Sequence, residues 1–79
     1  LTAVDFNWIL WETPPREPVK LTARTRYNGR EASAQVWSEE NGTVHVEFDQ
    51  PQRAVTAGQA VVLYYGDIVA GGGTIITAE

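Results

Sequence analysis

The chain has 79 residues, a formal net charge of -4, one histidine and no cysteine. At this length a chain buries only roughly 60% of the surface it exposes when unfolded, which points to one small domain and leaves little room for an enclosed active site. The missing cysteines remove disulfides, thiolate metal sites and a thiol nucleophile, and His45 alone cannot build a metal cluster, so no catalytic and no metal-ligating residues are assigned.

The chain opens at Leu1 rather than methionine, on "LTAVDFNWILW", which already has the character of ordered structure. A fragment of a longer protein is therefore expected, with residues 1 to 79 as a single domain. No run approaches the roughly 18 apolar residues of a membrane span, and the first residues lack a signal peptide's charged-then-apolar layout. A soluble, cytoplasmic protein without membrane partners is expected.

A first strand is predicted over residues 4 to 8. The following "ETPPREP", with Pro14, Pro15 and Pro18, cannot sit inside a central strand and reads as a linking loop. Apolar residues then alternate with a period of two at Val19, Leu21 and Ala23, at Val44, Val46 and Phe48, and at Val61, Leu63 and Tyr65. Turn signals at Asn28-Gly29, Asn41-Gly42, Ala57-Gly58 and Gly66-Asp67 separate these runs. Further strands are predicted over 19 to 27, 31 to 38, 43 to 49, 60 to 65 and 68 to 77. A small six-stranded antiparallel β-barrel buries one face of each strand and removes long open edges; a two-sheet sandwich is the alternative.

Register follows from the turns. A two-residue type I′ turn at Asn28-Gly29 places Leu21 opposite Val36 and Ala23 opposite Ala34, with Lys20 facing Trp37, Arg24 facing Ser33 and Arg26 facing Glu31 on the other side. The same turn at Asn41-Gly42 would carry Val46 and Phe48 to the polar face. A three-residue loop, Glu40-Asn41-Gly42, with Gly42 in the left-handed conformation of a G1 bulge, restores Val36 with Val46 and Ala34 with Phe48. Gly29, Gly42 and Gly58 are assigned to turns.

The run Gly71-Gly72-Gly73 invites comparison with a phosphate cradle. Such loops need backbone N–H groups converging at a helix N-terminus, yet neither a lysine nor a helical pattern follows, and "TIITAE" continues as strand. These glycines are expected to let the last strand coil, or neighbours approach, as the barrel closes.

The most promising functional feature is electrostatic. Residues 18 to 30 hold Lys20, Arg24, Arg26 and Arg30 and no acid, four of the six cations in a chain that is otherwise acidic. Lys20, Arg24 and Arg26 alternate along one strand face, roughly 7 Å per two-residue step, a spacing suited to successive nucleic-acid phosphates. Tyr27, Trp37 and His45 add stacking surfaces. The competing reading pairs Arg26 with Glu31 and Arg24 with Asp49, leaving a neutral surface. Gln52 and Arg53, in the loop after Pro51, either reach a ligand or cap backbone groups.

Taken together, "FNWI" at 6 to 9, "ARTRY" at 23 to 27, "VEFDQPQRAVTAGQAVVLYYGD" at 46 to 67 and "AGGGTI" at 70 to 75 resemble the C-terminal domain of the tRNA-specific 2-thiouridylase (MnmA/TrmU) family over nearly the whole chain. The resemblance implies a barrel similar to the second domain of translation elongation factors, placed after an ATP-binding PP-loop domain and a central domain. It implies a parent enzyme that adenylates the tRNA wobble uridine with ATP and replaces its 2-oxygen with sulfur delivered by sulfur-carrier proteins. The nucleotide motif and two catalytic cysteines of the family belong to other domains, so this fragment is expected to hold no cofactor and not to catalyse alone. Lys20, Arg24, Arg26, Tyr27, Gln52 and Arg53 become the candidate RNA-binding residues, although Asn28 stands where the family's K/R-x-R-Y-R strand ends in arginine. The rival reading is a scaffolding barrel packed on the central domain without RNA contact.

Overall fold

A computed structural model describes residues 1 to 25, 31 to 52 and 55 to 78. Arg26, Tyr27, Gly29 and Arg53 lie outside the described residues. Six strands follow in chain order, β1 (Thr2–Trp8), β2 (Val19–Thr25), β3 (Glu31–Ser38), β4 (Val44–Phe48), β5 (Ala60–Tyr65) and β6 (Ile68–Thr77). They close into a barrel in the order β1-β4-β3-β2-β5-β6 with every neighbour antiparallel, which sets the sandwich alternative aside.

Alternation along the strands turns one face inward. Leu21, Ala23, Ala34, Val36, Val44, Val46, Val61, Leu63, Ala70 and Ile75 are buried in one core. The small residues among them matter, because the interior of a six-stranded barrel is narrow. The proline-rich loop is tied down where the carbonyl of Pro15 accepts hydrogen bonds from the Ser38 N–H at 2.8 Å and the Ser38 hydroxyl at 3.0 Å.

The β3–β4 hairpin has the expected register, with Val36 opposite Val46 and Ala34 opposite Phe48, and Gly42 sits at φ +93°. The β2–β3 register differs from the expected one. Leu21 faces Ala34 and Ala23 faces Ala32, a displacement of two residues from the pairing that a tight Asn28-Gly29 turn imposes. A two-residue displacement keeps every side chain on its own face, so the apolar pattern is satisfied by both registers.

Barrel closure depends on β1 and β6. The register of β1 on β6 slips between Val4 and Asn7, and there Asp5 adopts φ +55°, as one inserted residue in a bulge requires. Phe6 and Trp8 then pack over the glycines, with Trp8 beside Phe6 (ring centroids 4.9 Å apart) and Trp11 edge-on to Trp8 at 5.7 Å. Gly71 and Gly73 pair with the buried Leu63 and Val61, so their missing side chains would share the core-facing side of β6.

Candidate nucleic-acid interface

The outward face of β2 presents Lys20, Thr22 and Arg24, flanked by β3 on one side and β5 on the other. Both cations described on this face meet carboxylates. Lys20 Nζ lies 2.5 Å from Asp49 Oδ2, and Arg24 Nη2 lies 3.3 Å from Glu31 Oε2. Glu31 is shared, since its Oε1 accepts the Thr22 hydroxyl at 3.0 Å. The partners differ from the competing reading of the sequence, which paired Arg24 with Asp49 and Arg26 with Glu31. The displaced register accounts for the exchange, because it sets Arg24 opposite Glu31 and Lys20 opposite Gln35 rather than Trp37.

These pairs are exposed, and exposed pairs contribute about 0–1 kcal/mol and weaken with salt. A phosphate therefore faces competition from Glu31 and Asp49, but from contacts cheap to break. Arg24 also lies over the Tyr64 ring, 5.5 Å from its centroid. Tyr64 escaped the sequence reading because its place beside Arg24 depends on the long-range pairing of β5 with β2. The one local signal was its position on the polar side of the Val61, Leu63, Tyr65 alternation, where its neighbours are buried at Val61 and Leu63.

A second group gathers around β3 and β4. Trp37 and His45 are cross-strand partners and stack at 5.1 Å with an interplanar angle of 11°, and His45 Nε2 contacts Glu39 Oε2. Both rings line an open cleft of about 460 Å³ together with Glu47, Phe48, Gln52 and Val55. Gln52 donates its Nε2 to the Gln50 carbonyl at 2.9 Å, which caps its own loop, while its position on the cleft wall leaves it beside any bound group. The structure thus separates the candidates into a β2 face with Lys20 and Arg24 and a cleft with Trp37, His45 and Gln52.

The glycine run does not fit a nucleotide. Gly71, Gly72 and Gly73 lie within β6 and pair with β5 on one side, while Gly71 and Gly72 also pair with β1 on the other, so their amides do not converge on a common anion. The described residues include no helix at whose N-terminus such a cradle forms.

Comparison with known proteins bears on this surface. Residues 1–75 match the family described as "Aminomethyltransferase beta-barrel domain". The chain is 52% identical over 75 residues to a tRNA-specific 2-thiouridylase MnmA of Acetivibrio thermocellus and to one of Moorella thermoacetica, in each case over 95% of this chain and 21% of the relative. It is 41% identical over 76 residues to that of Francisella tularensis subsp. novicida, covering 96% of this chain and 21% of the relative. The chain therefore spans about a fifth of the length of the curated relatives it matches.

Proposed function

The chain belongs to the aminomethyltransferase β-barrel domain family, and from that premise we propose that it is the C-terminal, tRNA-contacting accessory barrel of an ATP-dependent tRNA 2-thiouridylase. The observation that carries this reading is the identity of 41–52% with relatives named as tRNA-specific 2-thiouridylases, extending over 95% or more of the chain. The barrel's part is binding. ATP and the sulfur-carrier proteins engage other domains of the parent, which acts in the cytoplasm, and no residue described here is assigned to either.

On this reading β2 supplies the phosphate contacts. Lys20 and Arg24 exchange Asp49 and Glu31 for backbone phosphates, and Arg26, Tyr27 and Arg53 add the further basic and aromatic groups of the sequence pattern. The cleft beside Trp37 offers an unstacked base an aromatic wall and the amide of Gln52, a combination typical of single-stranded RNA recognition. The overall negative charge limits binding elsewhere on the surface, because indiscriminate nucleic-acid binding is driven by counterion release from Lys and Arg contacts.

The test is a tRNA titration of the parent enzyme at several salt concentrations. Arg24→Ala with Arg26→Ala should weaken binding and reduce the slope of log affinity against log salt by about two, one for each lost phosphate contact. Glu31→Gln should do the opposite and tighten binding by a few fold, because it releases Arg24 from its carboxylate. Unchanged affinity and slope in both variants would reject RNA contact by this face and leave the scaffolding reading.

A further inference from the structure

The cleft beside β4 is built differently from the basic face of β2. Among the described residues that line it there is no lysine and no arginine, so its side chains suit a base better than a phosphate. The stacked rings of Trp37 and His45 form an aromatic wall, and Glu47 is the next outward-facing residue of β4 after His45, about 7 Å along the strand. Its carboxylate is the odd one on this side of the barrel. Asp49 meets Lys20, Glu31 meets Arg24 and Thr22, and Glu39 meets His45, whereas the Glu47 side chain has no ion pair and no hydrogen bond among the described residues. An aromatic wall and an unengaged acceptor therefore share one cleft.

We propose that this cleft selects guanine among the bases of a single-stranded RNA, with Glu47 reading its Watson–Crick edge. The inference deepens the reading of the barrel as an RNA-contacting domain and rests on it. A carboxylate only accepts, and it does so through two oxygens side by side. Guanine alone among the four RNA bases sets two donors side by side on that edge, the N1–H and the N2 amino group, and so meets both oxygens at once in charge-assisted hydrogen bonds. Adenine and cytosine place a ring-nitrogen acceptor beside their single amino group, and uracil flanks its one N–H with two carbonyls. Each of these turns a lone pair toward the carboxylate. The bound base stacks on the Trp37–His45 wall, and the Gln52 amide, held through Nε2 by the Gln50 carbonyl, borders it from the loop.

The test titrates RNA heptamers into the 79-residue chain and follows the Trp37 indole N–H by NMR. The heptamers are all uridine except at the central position, which is guanosine, adenosine, cytidine, uridine or inosine. The guanosine heptamer should bind about tenfold more tightly than those with adenosine, cytidine or uridine. Inosine keeps the N1–H but lacks the amino group, and should bind about threefold or more weakly than guanosine. Glu47→Gln, at an exposed position outside the core, should cut the guanosine advantage to below about twofold without weakening the uridine heptamer. Equal affinity for every heptamer would overturn the proposal, as would a guanosine preference that survives Glu47→Gln, inosine binding as tightly as guanosine, shifts at Lys20 and Arg24 with none at Trp37, or no binding at all. Heptamers that bind without base preference would leave the phosphate contacts of β2 standing, and the tRNA titration judges those separately.

Discussion

Replacing Gly73 with alanine is expected to lower the unfolding free energy by about 2–3 kcal/mol, while the same change at Gly72 is close to neutral. A Cβ on Gly73 would stand 2.4 Å from Phe6 Cδ1 and 2.7 Å from the Val4 carbonyl oxygen, both far inside contact distance. The phenyl ring has some freedom, but the Val4 carbonyl belongs to the β1–β6 seam and cannot retreat without loosening barrel closure. At Gly72 the tightest contact is the Val61 carbonyl oxygen at 3.1 Å, a squeeze of a few tenths of an ångström that the lower backbone entropy of alanine in the unfolded chain offsets. Gly71 stands between them, with the Asn7 carbonyl oxygen at 2.9 Å. For a domain of this size the Gly73 change lowers the melting temperature by roughly 10–20 °C. Thermal melts of the two alanine variants, run side by side, check the ranking. A Gly73→Ala barrel as stable as the parent sequence would show that β6 does not need close approach there. Phe6→Ala in the Gly73→Ala background should recover part of the loss, since it removes the nearer of the two clashes.

Leu63→Ala is expected to cost still more, about 3–4 kcal/mol, measured as a lowered urea midpoint. Leu63 is fully buried and is the largest of the side chains with no solvent contact. Its cross-strand neighbours are Ala23 on β2 and Gly71 on β6, which have no length with which to fill the space it leaves. A closed barrel also resists collapse, because its strands are fixed by ladders on both sides. The cavity term therefore adds to the lost burial in near full measure. Small domains have only about 0.05–0.15 kcal/mol of stability per residue, so this one change removes much of the margin that holds 79 residues folded. A loss below about 1.5 kcal/mol would mean that the barrel closes around the vacancy.

How much of this was legible in the sequence depends on what each feature costs when wrong. The three-residue loop at Glu40-Asn41-Gly42 could be read because a one-residue slip moves Val46 and Phe48 to the solvent side, and the apolar pattern forbids it. The β2–β3 register could not, because a displacement of two leaves Leu21, Ala23, Ala34 and Val36 on the same face. That ambiguity passed directly to the candidate interface: the ion-pair partners depend on register, and Arg24 meets Glu31 while Asp49 meets Lys20. The glycine run was placed in a strand from the absence of a following lysine and helix. Which glycine is crowded was hidden, because the bulge at Asp5 that brings Phe6 over Gly73 is set by β1–β6 pairing across nearly the whole chain.

Photo-crosslinking of the parent enzyme to tRNA, with the adducts mapped to peptides, tests the assignment of the barrel most directly. Adducts within residues 20 to 30 and 50 to 53, diminished by raised salt and by Arg24→Ala, are the predicted result. Adducts confined to other domains, with none on the barrel, would contradict a tRNA-contacting role and leave only a scaffold.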